Sequence, residues 1–307
     1  MAEILTLGEI VVEIMAKEVN QTFEQTGVFQ GPYASGAPAI FINQAAKIGS
    51  KAGIISTIGS DAFGKLNHNK LREDGVDVSL ISITDQLTTG VAFVTYKENG
   101  DREFIFHLQN SASSLIGPDN IQEEFFKECN YFHIMGSALF NKNIRSAVKK
   151  AIEICRRTNT KISFDPNIRR ELLYDPEMRE CLEYVLDHCD IFLPGGEELE
   201  LLVNAKDEDG AIAHLFDKGI EYVVVKNGRK GCRAYSREGT FSIDPIQVVE
   251  VDPTGAGDCF GGTLISCLNK GLEFKESVIY ANKAGALAVT KKGPMEGNTT
   301  WDQLREI

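Results

Sequence analysis

Long apolar runs are missing from this 307-residue sequence: no uninterrupted stretch approaches the roughly 18 residues typical of a membrane-spanning helix. Positive charges are also missing near its start, where Glu3 and Glu9 stand in place of the basic residues of a secretory signal. The composition, 43% apolar and 25% charged, is that of a globular protein with a large core. We therefore expect a cytoplasmic protein with no membrane partner.

Basic residues are scarce relative to acidic ones. The chain has 32 Lys and Arg against 44 Asp and Glu, a net charge of −12. A protein that binds a nucleic-acid backbone needs a basic surface, so we expect no nucleic-acid partner. A nucleoside triphosphate is not excluded, because a few backbone N–H groups and one metal ion can hold its phosphates locally.

Metal-binding patterns of cysteine and histidine are absent from the sequence. None of the seven cysteines forms a C-x-x-C pair, and the five histidines are scattered. We expect reduced thiols in the core and no metal bound by Cys or His.

Strand-like runs and segments of helical periodicity alternate along most of the chain, which predicts an α/β fold with a largely parallel sheet. The predicted strands are 3–10, 51–58, Tyr131–Met135, Ile162–Asp165, Ile191–Leu193 and Tyr222–Lys226. The predicted helices are 38–49, 62–73, Asn141–Thr158, Glu177–His188, Glu197–Val203 and Ile212–Lys218.

Two stretches, about 11–34 and 88–115, break this alternation because they are rich in strand-forming residues. The second contains a turn signal at residues 98–101. We interpret the two stretches as a small β-sheet that forms a lid over the ends of the parallel strands.

The stretch "GSDAFGKL", residues 59–66, is close to a phosphate-binding P-loop. Leu66 stands where that loop needs a Ser or Thr hydroxyl, and Asp61 would repel a phosphate. We therefore predict that Ser60 or Asp61 caps the helix 62–73.

A second glycine-rich turn, in "VVEVDPTGAGDCFGGTLISCL", lies at 248–268. A β-type run, 246–251, leads into it, and Gly255 to Gly257 let a ligand approach the backbone. A helix then begins with unpaired N–H groups, which bind anions. Asp258 lies in its first turn, where it is either the base for an alcohol that attacks a phosphate or only a favourable acidic residue at a helix start.

The segment "DPTGAGDCFGG" closely resembles the C-terminal signature of the ribokinase-like sugar kinases, the phosphofructokinase B family. Further motifs follow in the family's order over nearly the whole chain: "GEIVVEI", "SGAPA", "IGSDAFG", "FDPNIR", "EEL", "VVVKNGRKG" and "ANKAGALAV". The resemblance implies a three-layer ribokinase-like α/β fold of one domain, 1–307, and transfer of phosphate from ATP to a small sugar.

The resemblance also assigns roles to individual residues. Asp258 is implied as the catalytic base, with Gly255, Ala256, Gly257 and Arg169 at the reacting phosphate. Nucleotide contacts are implied for Asn167, Lys226, Asn227, Gly228, Gly231 and Asn282. Sugar contacts are implied for Glu13, Gly36, Ala37, Asn43, Arg102, Phe106, Arg169 and Asp258. Glu198 is implied to order Mg²⁺ through water, and Asp252 with the Thr254 carbonyl to bind a monovalent cation such as K⁺.

The sequence departs from the family at several sugar-site positions. Ser35 replaces a glycine and Ile40 replaces an asparagine that binds sugar hydroxyls. Asn43 lies about one helical turn from Ile40, so we predict that its amide takes over this contact. Glu13 replaces an aspartate, and Gly195 replaces an asparagine near the metal.

The most similar branch contains fructokinases, tagatose kinases and 2-keto-3-deoxygluconate kinases. We expect phosphorylation of a primary hydroxyl of a ketohexose, tagatose or fructose. Two alternatives stay open: 2-keto-3-deoxygluconate, whose carboxylate Arg102, Arg169 or Arg170 would bind, and a non-catalytic relative that senses a sugar or nucleotide. Sheets with exposed edges often pair, so we also expect a homodimer through the lid.

Overall fold

Two β-sheets organise the computed structural model, which describes residues 1–98, 101–168 and 175–307. The strands are β1 Ile4–Leu7, β2 Val11–Ala16, β3 Phe29–Ser35, β4 Ala52–Gly59, β5 Ile81–Thr84, β6 Gly90–Tyr96, β7 Arg102–His107, β8 Tyr131–Met135, β9 Lys161–Asp165, β10 Ile191–Phe192, β11 Tyr222–Lys226, β12 Cys232–Ser236 and β13 Gly239–Ile243. Over the described residues, the larger sheet has the order β13-β12-β11-β10-β9-β8-β1-β4-β5. Its strands from β11 to β5 pair in parallel, and β12 and β13 add antiparallel strands at one edge.

Helices cover both faces of the larger sheet. They are α1 Ala37–Lys47, α2 Ala62–Glu73, α3 Lys142–Thr158, α4 Pro176–Leu186, α5 Gly196–Leu202, α6 Glu208–Asp217, α7 Ala256–Asn269, α8 Phe274–Ala288 and α9 Trp301–Arg305. Every residue of β1 and β4 is buried, as expected for strands covered on both faces. One core layer packs α3, α4 and α6 on the sheet, and the other packs α1, α7 and α8. The predicted α/β architecture with a mostly parallel sheet is confirmed.

The smaller sheet has the order β3-β2-β6-β7 and comes from the two stretches that we interpreted as a lid. Alternate residues of β7 face opposite sides, and those on one side, Arg102, Phe104 and Phe106, line a cavity at the end of the larger sheet. The predicted turn at 98–101 includes Asn99 and Gly100, which lie outside the described residues. No helix in the described part of the chain is both long and apolar enough to span a membrane.

The predicted strand at 246–251 is wrong. Over the part of the chain that the structure describes, these residues pair with no strand, and Val249 is 82% exposed. The N–H groups of Val251 and Asp252 instead donate to the carbonyl of Val289, just after α8. Tertiary contacts with α8 therefore take the place of sheet pairing.

Asp61 is the N-cap of α2, as predicted for the glycine-rich segment 59–66. Its Oδ1 accepts from the Gly64 N–H at 2.8 Å, and its Oδ2 accepts from the Thr89 N–H at 2.7 Å. Asp61 thus fixes both the start of α2 and the entry to β6.

Replacing this cap tests the structural role. We expect Asp61→Ala to lower the free energy of unfolding by about 1–2 kcal/mol, because two backbone N–H groups lose their acceptor. Urea denaturation measures the change. Lys65→Ala, an exposed position in the same helix, serves as control and should stay within about 0.5 kcal/mol of the parent. Equal stability of Asp61→Ala and Lys65→Ala would contradict the capping role.

Candidate active site

A cavity of about 710 Å³ lies between the carboxyl ends of the parallel strands and the smaller sheet. Ligands of open α/β sheets bind at this edge, where loops follow the strands. The cavity wall contains many of the predicted residues: Glu13, Gly36, Ala37, Arg102, Phe106, Asn167, Glu198, Lys226, Thr254, Gly255, Ala256, Gly257 and Asp258. The fold thus brings residues that are far apart in sequence to one site.

The anion hole, defined here as the backbone amides of residues 255–257, lies at the start of α7. Gly255 precedes the helix with φ 81°, a left-handed conformation that favours glycine. A Cβ at this position would also meet the Pro294 carbonyl oxygen at 2.5 Å. Because the first N–H groups of a helix have no intrahelical acceptor and carry partial positive charge, this turn can hold a phosphate.

Asp258 is buried beside the anion hole, with 7% of its surface exposed. The side-chain amide of Asn167 donates to Asp258 Oδ1 at 3.3 Å. Burial, together with the nearby Asp165 carboxylate, raises the pKa of Asp258 to about 8, and the positive charge of Lys226 partly offsets this rise. A carboxylate with so high a pKa is a good proton acceptor once it is ionised.

Lys226, at the end of β11, forms a buried ion pair with Asp165, at the end of β9. Burial alone would lower the pKa of Lys226, but the carboxylates of Asp165 and Glu198 outweigh burial and raise it. The ammonium group also lies near Gly257, since a Cβ on this glycine would meet it at 3.5 Å. A fixed positive charge therefore stands next to the anion hole.

Glu198 lies in the first turn of α5, where its carboxylate orders two loops. Its Oε2 accepts from the Gly195 N–H at 2.6 Å, and its Oε1 accepts from the Ile168 N–H at 2.9 Å. Each oxygen keeps a second lone pair for a water molecule. Among the described residues, no group of three or more His, Cys, Asp or Glu could hold a metal by itself. The donor set therefore fits a Mg²⁺ ion held mainly through phosphate oxygens and water, with Glu198 as an outer acceptor.

Asp252 and Thr254 connect the lid to the anion hole. Asp252 accepts from the N–H groups of Thr254 and Gly293, each at 3.0 Å, and from the Tyr96 hydroxyl at 3.4 Å. Thr254 Oγ1 accepts from Arg102 Nη1 at 3.0 Å. These donors use most acceptor positions of the Asp252 carboxylate, so its side chain fits a monovalent cation poorly. The proposed K⁺ site at Asp252 and the Thr254 carbonyl stays a prediction.

Four residues predicted to contact the nucleotide do not line this cavity: Asn227, Gly228, Gly231 and Asn282. The short turn that contains Asn227, Gly228 and Gly231 follows β11. The side-chain amide of Asn282, in α8, donates to the Asp244 carbonyl at 3.0 Å. Their contact with a nucleotide stays a prediction. Arg169 lies outside the described residues.

Asn43 requires a correction, because its side chain does not reach the cavity. It is fully buried in α1, its Nδ2 donates to Asp74 Oδ2 at 2.8 Å, and its Oδ1 accepts from Asn298 Nδ2 at 2.6 Å. Asn43 lies about one helical turn after Ile40. Ile40 lines the cavity, whereas the side chain of Asn43 points into the core toward Asp74 and Asn298. The sugar contact predicted for Asn43 is therefore wrong on this geometry.

Glu9 is a site residue that the sequence interpretation missed. It follows β1, lines the cavity and has 5% of its surface exposed. Burial raises its pKa to about 7. Burial also raises the pKa of Glu13 on β2, a residue that the sequence did indicate, to about 7. A signal existed in the motif "GEIVVEI", where both glutamates follow the first strand in an otherwise apolar segment.

Comparison with known proteins identifies the class. Residues 1–301 match the model of the pfkB family of carbohydrate kinases, and the chain belongs to this family. It is a sugar kinase with the α/β ribokinase-like fold.

Individual relatives cover nearly the whole chain. Fructokinase-1 of Zea mays is 30% identical over 316 residues, 99% of this chain and 97% of that protein. A structure from E. coli, provisionally described as a ribokinase II and bound to ATP and Mg²⁺, is 46% identical, with a TM-score of 0.96 over 100% of this chain and 98% of that one. A Vibrio cholerae fructokinase with fructose, ADP and calcium is 26% identical, with a TM-score of 0.87 over 100% and 98%.

The raised pKa of Asp258 predicts a pH-dependent stability. The native protein keeps the proton on Asp258 up to about pH 8, whereas the unfolded chain releases it near pH 4. The stability from this group is present in acid and is lost as the pH rises toward 8. The Asp258→Asn side chain cannot ionise and so does not lose this stability. We therefore expect the free energy of unfolding of Asp258→Asn, relative to that of the parent, to rise by a few kcal/mol from pH 5 to pH 8.5.

Urea denaturation at several pH values measures this gain. Glu276→Gln is the control, because Glu276 is an exposed acidic residue in the first turn of α8 and its replacement should show no such gain. If the free energies of unfolding of Asp258→Asn and the parent differed by the same amount at every pH, the buried carboxyl would be ionised over the whole range and the prediction would be wrong.

Proposed function

We propose that the protein transfers the terminal phosphate of ATP to a primary hydroxyl of a ketohexose, fructose or tagatose. The observation that carries this proposal is the position of Asp258: a buried carboxyl in the first turn of α7, directly beside the backbone amides of the anion hole and in the wall of the cavity of about 710 Å³. The fructokinase relatives support a fructose-like acceptor.

Asp258 acts as the base in this proposal. A sugar hydroxyl near its carboxylate loses its proton to Asp258 as the new oxygen–phosphorus bond forms and the bond between the terminal phosphorus and the bridging oxygen breaks. ADP carries away the electrons of the broken bond. Asn167, which donates to Asp258 Oδ1, keeps the carboxylate oriented.

The anion hole and Lys226 stabilise the charge on the transferred phosphate. The amides of 255–257 and the positive end of α7 need no rearrangement to do so, because the turn is already held by Gly255. Mg²⁺, which Glu198 would hold through water, supplies further neutralisation of phosphate charge when bound. Positioning and electrostatics thus account for most of the acceleration that this site offers.

The lid excludes water, which would otherwise compete with the sugar as acceptor. Phe104 and Phe106 present their stacked rings, with centroids 5.3 Å apart, on the cavity side of β7. The contacts Arg102–Thr254 and Tyr96–Asp252 place this apolar wall directly over the loop that leads into the anion hole.

Removing the base tests the catalytic role. We expect Asp258→Ala to lower kcat by about 10²–10⁴, the usual effect of losing a positioned base, with ATP affinity nearly unchanged. A coupled assay of ADP release with fructose and tagatose measures kcat, and calorimetry measures ATP binding.

Glu276→Ala is the matched control, because Glu276 occupies in α8 the helix position that Asp258 occupies in α7 but is exposed. It should keep the parental kcat. If both variants kept it, Asp258 would be only a favourable helix-start residue, and the mechanism would fail.

We further propose that the protein is a homodimer through the outer face of the lid. Ile105 is 42% exposed and faces away from the cavity side of β7. Its partner on β6, Phe93, lies on the same face and packs against Phe29 and His107. A second copy would cover this apolar surface.

Charge on that face should disrupt the dimer. We expect Ile105→Lys to be monomeric by analytical ultracentrifugation at a concentration where the parent is dimeric, because the ammonium group would have to be desolvated in the interface. Ile83→Lys is the control, since Ile83 is 62% exposed on the edge strand β5 of the larger sheet. A monomeric parent, or a dimeric Ile105→Lys, would contradict the proposal.

A further inference from the structure

A second cavity, of about 450 Å³, lies far from the active site. Its wall consists of residues 47–49, 270, 300–302 and 305, none of which lines the catalytic cavity. Helices α1 and α7 both begin at the catalytic cavity and end at the second cavity. Since α7 has 14 residues and each adds about 1.5 Å, the two cavities are about 20 Å apart along this helix.

A small apolar core fixes one side of the second cavity. Ile48, Ala284 and Leu304 are buried against one another. Trp301 packs on this core, and the centroid of its ring lies 4.9 Å from that of Tyr280. Helix α9 is therefore held against α1 and α8, so the cavity between these elements is a formed part of the fold.

Positive charge dominates the wall of the second cavity. Three cationic side chains line it, Lys47, Lys270 and Arg305, and Asp302 is the one carboxylate that does so among the described residues. The guanidinium carbon of Arg305 lies 5.2 Å from the centroid of the Trp301 ring. The chain as a whole has a net charge of −12, so this excess of cations is a local feature.

Two of the three cations have no acceptor. Lys270 Nζ donates to the Gly49 carbonyl at 3.1 Å, so the negative end of α1 explains its position. Over the residues that the structure describes, Lys47 and Arg305 form no ion pair and donate no side-chain hydrogen bond. The helix ends therefore do not explain why these two cations line the cavity.

Lys47 is half-buried, and burial lowers its pKa. The charge of Asp74 opposes this shift, but Asp74 Oδ2 already accepts from Lys70 Nζ at 2.9 Å and from Asn43 Nδ2 at 2.8 Å. A half-buried ammonium group needs acceptors in place of the water that it has lost. An anion in the second cavity would supply them.

The chemistry of the wall indicates the class of anion. Arg and Lys side chains are the usual donors to phosphate oxygens, and hydrogen bonds between charged groups are the stronger kind. The partly exposed ring of Trp301 offers a flat apolar surface beside them. The cavity volume lies within the range of about 300–1,000 Å³ that is typical of small-molecule sites.

We infer that the second cavity binds a small phosphate ester. Arg305 and Lys47 donate to its phosphate, and its organic part packs on Trp301. A sugar phosphate and a nucleoside monophosphate share this chemistry, and the experiment distinguishes them. The inference does not depend on the proposed function, because the two cavities share no lining residue.

The fluorescence of Trp301 provides the first test, because this residue is the only tryptophan of the chain. The unaltered protein is titrated with fructose 6-phosphate and AMP, and with fructose and adenosine, which lack the phosphate. We expect a saturable change of emission with at least one ester and none with its phosphate-free partner. Calorimetry of the same titrations detects binding that leaves the emission unchanged. No binding of either ester by both measurements would overturn the inference.

Charge-removing variants then locate the bound phosphate. We expect Lys47→Gln and Arg305→Gln each to raise the dissociation constant of the ester about tenfold, because one charged donor is lost. Lys142→Gln makes the same change of net charge at an exposed position of α3, a helix on the other face of the larger sheet. It should leave the dissociation constant within about twofold of the parent.

Asp302→Asn separates binding from damage to the fold. Removing this carboxylate removes a repulsion, so we expect the ester to bind about two to five times more tightly. A variant that only disturbed the cavity would bind more weakly instead. Equal dissociation constants for Lys47→Gln, Arg305→Gln and Lys142→Gln would show that the ester binds elsewhere, and would overturn the inference. The ester that binds more tightly identifies the ligand as a sugar phosphate or a nucleotide.

Discussion

The withdrawal of Asp258 from water beside the start of α7 is the interaction on which the rest of the site depends. An isolated carboxylate at this depth would take up a proton, and burial raises its pKa accordingly. Lys226 limits the penalty, and it stays charged there because Asp165 and Glu198 surround it. The parallel sheet brings these groups together, since β9, β11 and the loop before α7 all end at the same edge. The strand order thus brings the buried carboxyl groups, Lys226 and the backbone amides at the start of α7 together.

One short loop, residues 252–254, is connected to the lid by hydrogen bonds. Residues 252–254 accept hydrogen bonds from Tyr96 and Arg102 of the lid, and the next residue begins the anion hole. The lid is therefore connected by hydrogen bonds to the loop that leads into the glycine-rich turn. The lid also contributes Glu13, which faces Glu9 from the larger sheet across the cavity. Neither sheet alone forms the wall of the cavity.

Local chemistry explains which sequence predictions succeeded. The helix from 142 to 158 was predicted almost to the residue because Asn141 caps it and Asn159 ends it in a left-handed conformation, both signals within a few residues. The capping role of Asp61 follows in the same way. The segment 246–251 failed because β-type composition does not reveal whether a partner strand is present, and here the backbone N–H groups of Val251 and Asp252 bond to Val289 instead.

The sequence by itself determined the class of the protein and the location of the glycine-rich turn before α7, because the glycines, the helix start and the acidic residue in its first turn are all local features of the chain. Only the tertiary structure decided which polar side chains line the cavity. Asn43 in α1 and Glu9 just after β1 are both buried polar residues, yet Asn43 bonds to Asn298, 255 residues away, while Glu9 lines the cavity. Burial and hydrogen-bond partners come from distant segments, and periodicity along one element does not encode them.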